Sequence, residues 1–347
     1  MTNAKEFVNA IKSQFNLTQI EETFKQFENL NILVIGDTII DRYTFVHQKG
    51  RAIKDPIMSV EYKEEEDYAG AIIVVANHMS TFVKKIKLVT LIGEKNSMIN
   101  FVQNSLRKNI ELKTFVKTNA PTTVKQRMID AYRSNKLFKI EYIDDHPINE
   151  QLNKEIVEYL DKEIPKYDII IVGDYGHGFI THDMRRKIEE KARFLAINVQ
   201  CNSSNMGYNY FNLYKKFDFL TINENEMRLP LSMRFEEMET VIKAAQSCFN
   251  MNNFLVTLGK KGSILCKEKK LTHGPIVIET VKDTVGSGDA LFSISSLCAY
   301  FKLSDELLVF LANCAGGFAS NVVGNKESIT QERLMEFIKN VYNQDIE

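Results

Sequence analysis

Asp283, Thr284, Val285, Gly286, Ser287, Gly288 and Asp289 set a glycine-rich turn and a carboxylate directly before an apolar run from Ala290 to Phe301. Leu291, Phe292, Ile294, Leu297, Cys298 and Phe301 recur there at helical spacing, so the turn opens a helix. Glycines let a backbone turn tightly and aim its N–H groups outward, and a helix start adds partial positive charge. The amides of Gly286, Ser287 and Gly288 would then stabilise the charge that builds on a transferring phosphoryl group, with Asp289 as base for the attacking hydroxyl. The same spacing fits an ordinary loop in which Asp289 is only a first-turn carboxylate. Upstream, Pro275 to Val281 reads as a strand, which supplies the strand, turn and helix order that phosphoryl transfer needs.

Other segments carry compatible chemistry. Thr257, Gly259 and Gly262 lie in a glycine turn that ends a strand, where backbone amides hold phosphate or simply close a hairpin. Asn223 and Glu226 follow another strand and offer oxygens for magnesium, or equally cap a helix. Asp37 and Asp41 follow the first strand, where carboxylates orient a polyol or cap loop amides. Lys125 and Arg127 alternate on a strand and suit an acceptor phosphate, or form a solvated edge. Asp174 ends a buried strand and leads into Tyr175-Gly176-His177-Gly178, again at a ligand-binding edge.

The segment Asp283 to Asp289 resembles the Asp-Thr-x-Gly-Ala-Gly-Asp signature of the PfkB, or ribokinase-like, carbohydrate kinase family, with only Ser287 departing from it. Within that family the likeness is to the heptose 7-phosphate kinase branch, through Val34 to Tyr43 and Thr122 to Arg127, and it spans about Asn31 to Thr330. The resemblance implies ATP and Mg²⁺, with Thr257, Gly259 and Gly262 beside the nucleotide, Asn223 and Glu226 near the metal, Glu226 through water, and Asn313 bordering adenine. It implies K⁺ at the carbonyls of Asp283 and Val285 with Gly324 and Ser328. On the acceptor side it implies that Asp41, with Asp37, Gly70 and Asp174, contacts a sugar or sugar phosphate. It also implies a small β lid from about 43–68 and 121–143 that often carries a homodimer contact, and a nucleotidyltransferase partner.

Three departures point to a different acceptor. Ile73 stands where the family has a sugar-binding Asn, His177 stands where the branch has Lys, and Ile197 to Ser204 lacks its Asp-Pro-Lys element. A nucleoside kinase, or a non-catalytic sugar-phosphate-binding protein, are the rival readings.

These residues need a scaffold, and the pattern supplies one. Amphipathic helices are expected within residues 5–29, as a helical extension over 1–30 that packs on the body. A kinase-like domain then covers 31–340. Its apolar strands at Asn31–Gly36, Ile86–Ile92, Ile169–Gly173, Phe194–Asn198, Phe217–Ile222 and Phe254–Leu258 alternate with helical segments. Further strands are expected at Thr123–Asp130 and Phe138–Ile143, and charged Arg51 to Asp67 reads as a solvent-exposed strand pair. Such alternation predicts an α/β, ribokinase-like, Rossmann-like fold, its mostly parallel sheet covered by helices on both faces.

With 44 Lys and Arg against 45 Asp and Glu, no global field recruits nucleic acid or an anionic membrane. The five cysteines show no metal-binding spacing, and no segment reaches about 18 uninterrupted apolar residues, so a reducing cytoplasm is expected.

Overall fold

The computed structural model describes residues 4–277 and 281–343. Its strands are β1 Asn31–Arg51, β2 Met58–Gly70, β3 Lys85–Lys95, β4 Ile110–Pro121, β5 Thr123–Asp130 and β6 Lys136–Tyr142. They continue with β7 Ile169–Asp174, β8 Leu195–Val199, β9 Phe219–Asn223, β10 Asn253–Thr257, β11 Ser263–Lys267 and β12 Lys270–Gly274. The main sheet runs β12-β11-β10-β9-β8-β7-β1-β3-β4. It is parallel from β10 to β4, and the β11–β12 hairpin adds antiparallel strands at one edge.

Successive side chains of a strand point to opposite faces, so the continuous apolar runs of these strands make both faces of the sheet dry. Ile32 and Val34 of β1, with Ile169 and Ile171 of β7, enter one core; Leu33 and Ile35, with Ile170 and Val172, enter the other. The first core takes the helices Ala71–Met79, Ser287–Tyr300, Asp305–Ser320 and Gln331–Asn343, and the second takes Glu150–Glu163, His182–Lys191 and Met238–Phe249.

The helices Ala4–Gln14 and Leu17–Phe27 also join the first core, with Ile20, Phe24 and Phe27 fully buried. Asn16 starts the second of them with a reciprocal capping box to Gln19.

Two expectations fail. The first strand does not stop at Gly36; it leaves the main sheet past Asp37 and continues to Arg51. Its far half pairs antiparallel with β2 and parallel with β5, which pairs with β6, so a second sheet of order β2-β1-β5-β6 forms from the segments expected as a lid. Arg51 to Asp67 is therefore the end of β1, a connection and most of β2. The second failure concerns Pro275 to Val281. Residues 278–280 lie outside the described residues, Pro275 to Val277 and Val281 are not strand, and the strand in this region is β12, closing at Gly274.

Candidate active site

Asp37 is the last β1 residue paired in the main sheet, Asp174, Asn223 and Thr257 end β7, β9 and β10, and Gln200 follows β8, so these side chains gather at the carboxyl edge of the parallel strands. From β1 the chain extends to β3 and β4 on one side and to β7 through β10 on the other. Such a reversal leaves a crevice beyond the strand ends. The helix Ser287–Tyr300 delivers its N-terminus to this crevice.

Gly286 precedes that helix at φ 82°, in the left-handed region, and a Cβ there would lie 1.8 Å from Asn325 Oδ1. Glycine is required on both counts. The Ser287 hydroxyl folds back onto the Thr284 carbonyl at 2.9 Å, which explains how serine is accommodated in the turn. The Ser287 amide also leans toward that carbonyl, at 3.4 Å, while the amides of Gly286 and Gly288 donate to no carbonyl among the described residues. A Cβ on Gly288 would meet nothing within 4 Å, so its backbone opens directly onto the cavity.

Asp289 is buried beside these amides. Tyr175 Oη donates to its Oδ1 at 2.8 Å and Gln200 Nε2 at 3.3 Å. Burial pushes the Asp289 carboxyl up to about 7, with the nearby Asp41 charge adding and the Tyr175 hydrogen bond opposing. A base poised near neutrality suits proton removal from a hydroxyl. Tyr175 stays a neutral donor, because burial and the Asp289 charge raise its phenol well above the usual range.

Two connected cavities flank the turn. One, of about 240 Å³, is bordered by Thr257, Gly259, Gly262, Thr284, Ser287, Gly288, Asn313, Gly316 and Gly317. Asn313 is spent within the protein, accepting from Ser263 Oγ at 2.8 Å and donating to the carbonyls of Gly274 and Pro275. The other, of about 260 Å³, is walled by Asn198, Gln200, Asn223, Glu226, Thr257, Gly286, Gly288 and Asp289. Asn223 and Glu226 form the capping box of the short helix Glu224–Arg228, and Glu226 also accepts the Cys201 amide at 3.0 Å. Burial pushes its carboxyl to about 7. Among the described residues no group of three or more His, Cys, Asp or Glu gathers to hold a metal directly. The pair Glu226 and Asp289 across a cavity of this size instead suits Mg²⁺ carried by phosphates and its own waters.

On the lid side, Asp41, Tyr43, Lys125 and Arg127 share one face, since Asp41 stands opposite Lys125 and Tyr43 opposite Arg127. Arg127 Nη1 is ion-paired with Asp41 Oδ1. A Cβ on Gly70 would lie 2.6 Å from Asp41 Oδ2, so glycine makes room for this carboxylate. Lys125 makes no hydrogen bond or ion pair among the described residues; burial lowers its ammonium pKa, with Asp41 and Glu141 opposing.

Asp37, within reach of the Lys125 charge, and Asp174 are engaged by the protein itself. Asp37 accepts the Tyr175 amide at 3.0 Å, and burial together with Asp174 pushes it up to about 7. The Asp174 oxygens are occupied by Gly176, Asn209, Tyr214 and Arg185, so it braces the Tyr175 loop instead of facing the cleft. His177 bonds Asp145 through Nδ1 at 2.7 Å, and burial lowers its pKa to about 4, leaving a neutral ring whose Nε2 has no partner. Ile73 is fully buried in the first core and cannot stand in for a sugar-binding Asn.

Around the turn, Gly324 N–H reaches Asp283 Oδ2 at 3.3 Å, while Ser328 makes no hydrogen bond to this loop among the described residues. Sequence reasoning missed Gln200, Thr284 and the aromatic donors Tyr43 and Tyr175. Thr284 and Tyr175 carried a signal in their glycine turns and Tyr43 in the segment Val34 to Tyr43, but none of them was given a role.

Comparison with known proteins bears on the family and the fold. A family pattern described as pfkB family carbohydrate kinase matches residues 29–330. The bifunctional protein HldE of Aliarcobacter butzleri is 28% identical over 309 residues, covering 87% of this chain and 63% of HldE. The chain thus spans under two thirds of that relative's length. Among solved structures, ribokinase from Thermotoga maritima superposes with a TM-score of 0.66 at 19% identity, covering 90% of this chain and 100% of that one. Phosphofructokinase-2 from Escherichia coli in complex with potassium superposes at 0.69 and 11% identity, covering 91% and 99%.

Proposed function

The chain belongs to the pfkB family of carbohydrate kinases, and on that premise we propose that it transfers the γ-phosphoryl group of ATP to a hydroxyl of a sugar or sugar phosphate. A heptose 7-phosphate-like acceptor is the specific reading, supported by the similarity to HldE and by Lys125, an unpaired cation on the lid face beside Asp41. The observation that carries the proposal is Asp289, buried at a glycine-rich helix start whose free amides open on the same cavity.

The residues divide the work. Asp289 takes the hydroxyl proton, and Tyr175 and Gln200 hold its carboxylate toward the cleft. The amides of Gly286, Ser287 and Gly288 receive the charge spreading over the transferring group. The small surface of Gly316 and Gly317 beside Asn313, with Thr257 and the Gly259–Gly262 turn, forms the nucleotide slot. Mg²⁺ neutralises the triphosphate when bound, with Asn223 and Glu226 as its outer neighbours. K⁺ is assigned to the carbonyls of Asp283 and Val285 with Gly324 and Ser328. Asp41 and Gly70, with Arg127 and Lys125, orient the acceptor; Asp37 and Asp174 support the edge on which it rests. The lid's outer face carries a homodimer contact, and a nucleotidyltransferase supplies the partner activity. The test is ADP formation with Mg²⁺, with and without K⁺, over heptose 7-phosphates, pentose and hexose phosphates, free sugars and nucleosides. One acceptor dependent on Asp289 is expected, and silence throughout despite ATP binding would overturn the proposal.

A further inference from the structure

Two lid residues reach the residue that opens the anion-hole turn. Tyr43 Oη donates to Asp283 Oδ2 at 2.9 Å, and Lys136 Nζ donates to Asp283 Oδ1 at 2.8 Å. The same carboxylate accepts the amide of Val285 at 3.2 Å, inside the turn, and that of Gly324 at 3.3 Å, in the loop after the helix Asp305–Ser320. One buried side chain therefore ties together the lid, the turn and the loop that braces it.

The placement of Lys136 is built into the strand. Simple alternation along β6 would send it to the outer face with Phe138 and Ile140. The β5–β6 register slips between Met128 and Ile129, which leaves Leu137 extra and puts Lys136 opposite Ile129. Ile129 packs with Tyr43 and Tyr68, so the bulge turns Lys136 onto the inner face. The four donors divide evenly over the carboxylate, Lys136 and Val285 at Oδ1 and Tyr43 and Gly324 at Oδ2.

Further contacts join the same parts. Asn325 packs against Gly286, and its Nδ2 lies 3.4 Å from the Ala69 carbonyl of β2. Lys326 Nζ pairs with Glu66 of β2 at 2.8 Å. On the acceptor side the Arg127 guanidinium, paired with Asp41, lies 5.7 Å from the Tyr43 ring centroid. A continuous set of contacts thus runs from the acceptor carboxylate through Arg127 and Tyr43 to Asp283 and the turn.

We propose that Lys136 and Tyr43 are positioning residues that act through Asp283, so that seating of the lid sets the shape of the anion-hole turn. The proposal rests on the kinase reading of the site. It makes phosphoryl transfer conditional on a closed lid: with Lys136 lifted away, Asp283 loses its charged donor and the turn loosens. Four bonds to one carboxylate hold the turn, and two of them, from Lys136 and Tyr43, break when the lid opens.

The test uses the full chain with Lys136→Met, Lys136→Arg and Tyr43→Phe. The Lys136 side chain is 44% exposed, so its replacement leaves the cores intact. Amide hydrogen exchange is read over Val285–Asp289, with the Gly259–Gly262 turn as internal reference. Lys136→Met should speed exchange roughly tenfold in the first segment alone, and Lys136→Arg should restore it. In turnover, Lys136→Met should lower kcat by a similar roughly tenfold factor while KM for ATP stays close to that of the unaltered chain. Unchanged exchange at Val285–Asp289 in Lys136→Met, or no restoration by Lys136→Arg, overturns the latch even where the unaltered protein is an active kinase. Faster exchange in a protein that phosphorylates no acceptor would leave the latch standing and remove the kinase reading.

Discussion

As the proposed base, Asp289 carries two opposed demands, since a base must be ionised and a buried carboxylate is destabilised by its loss of water. Its pKa is raised from 3.8 to about 7, so the protonated form is favoured by folding. That contribution to stability is complete below the ordinary carboxylate range and is lost as pH rises through about 7. Asp289→Asn, which never ionises, should therefore melt close to the unaltered protein at pH 4 and above it at pH 8, by on the order of a few kcal/mol. Equal melting temperatures at pH 8 would contradict the burial argument. Tyr175 bears on the same group in the other direction. Its hydrogen bond favours the ionised form, so Tyr175→Phe should raise the Asp289 pKa and move the acidic limb of the kcat/KM profile to higher pH, while an unmoved limb would show that the hydroxyl does not tune the base.

The turn and its helix permit a cleaner separation of fold from chemistry. Gly286→Ala places a methyl against Asn325 at a left-handed φ, so it should cost about 1–3 kcal/mol of stability together with activity. Gly288→Ala meets only open space, so thermal melting should show a normal fold while turnover drops. Equal melting losses in the two variants would contradict this distinction. The turn, the helix after it and the central strands β1 and β7 were readable because apolar period and glycine chemistry are local signals. The full course of β1 was not: Gly36-Asp37 reads as a strand end, yet the chain continues because Asp37, Thr38 and Asp41 are buried between two sheets, where tertiary contacts override the local pattern. Strand β4 escaped notice because charged and polar residues interrupt its apolar positions. The reach of Lys136 to Asp283 depends on a one-residue register slip that no sequence pattern records. Asn223 and Glu226, by contrast, cap a helix, as one of their two readings has it, and also border the cavity beside Asp289, while their magnesium role stays a proposal.

As a whole the molecule is a mostly parallel sheet whose longest strand also builds the lid, so β1 joins the lid directly to Asp37 and the edge that holds the candidate site. The outer lid face exposes Tyr62, Phe138, Ile140 and Tyr142, each more than a third accessible, an apolar patch of the kind that marks an interface. We expect a dimer through this face: Ile140→Arg should shift the chain to monomer in light scattering, and an unchanged mass would place any dimer contact elsewhere. No helix among the described residues is long and apolar enough to cross a membrane, and all five cysteines are unpaired. The most direct test of the central claim is acceptor-dependent ADP formation from ATP and Mg²⁺, measured side by side for the unaltered protein and Asp289→Asn. The account predicts turnover with a sugar or sugar phosphate that falls by roughly 10²-fold or more in the variant, whose nucleotide binding persists. Turnover retained by Asp289→Asn would contradict the assignment of Asp289 as base, and no turnover by the unaltered protein with any acceptor would contradict the kinase reading itself.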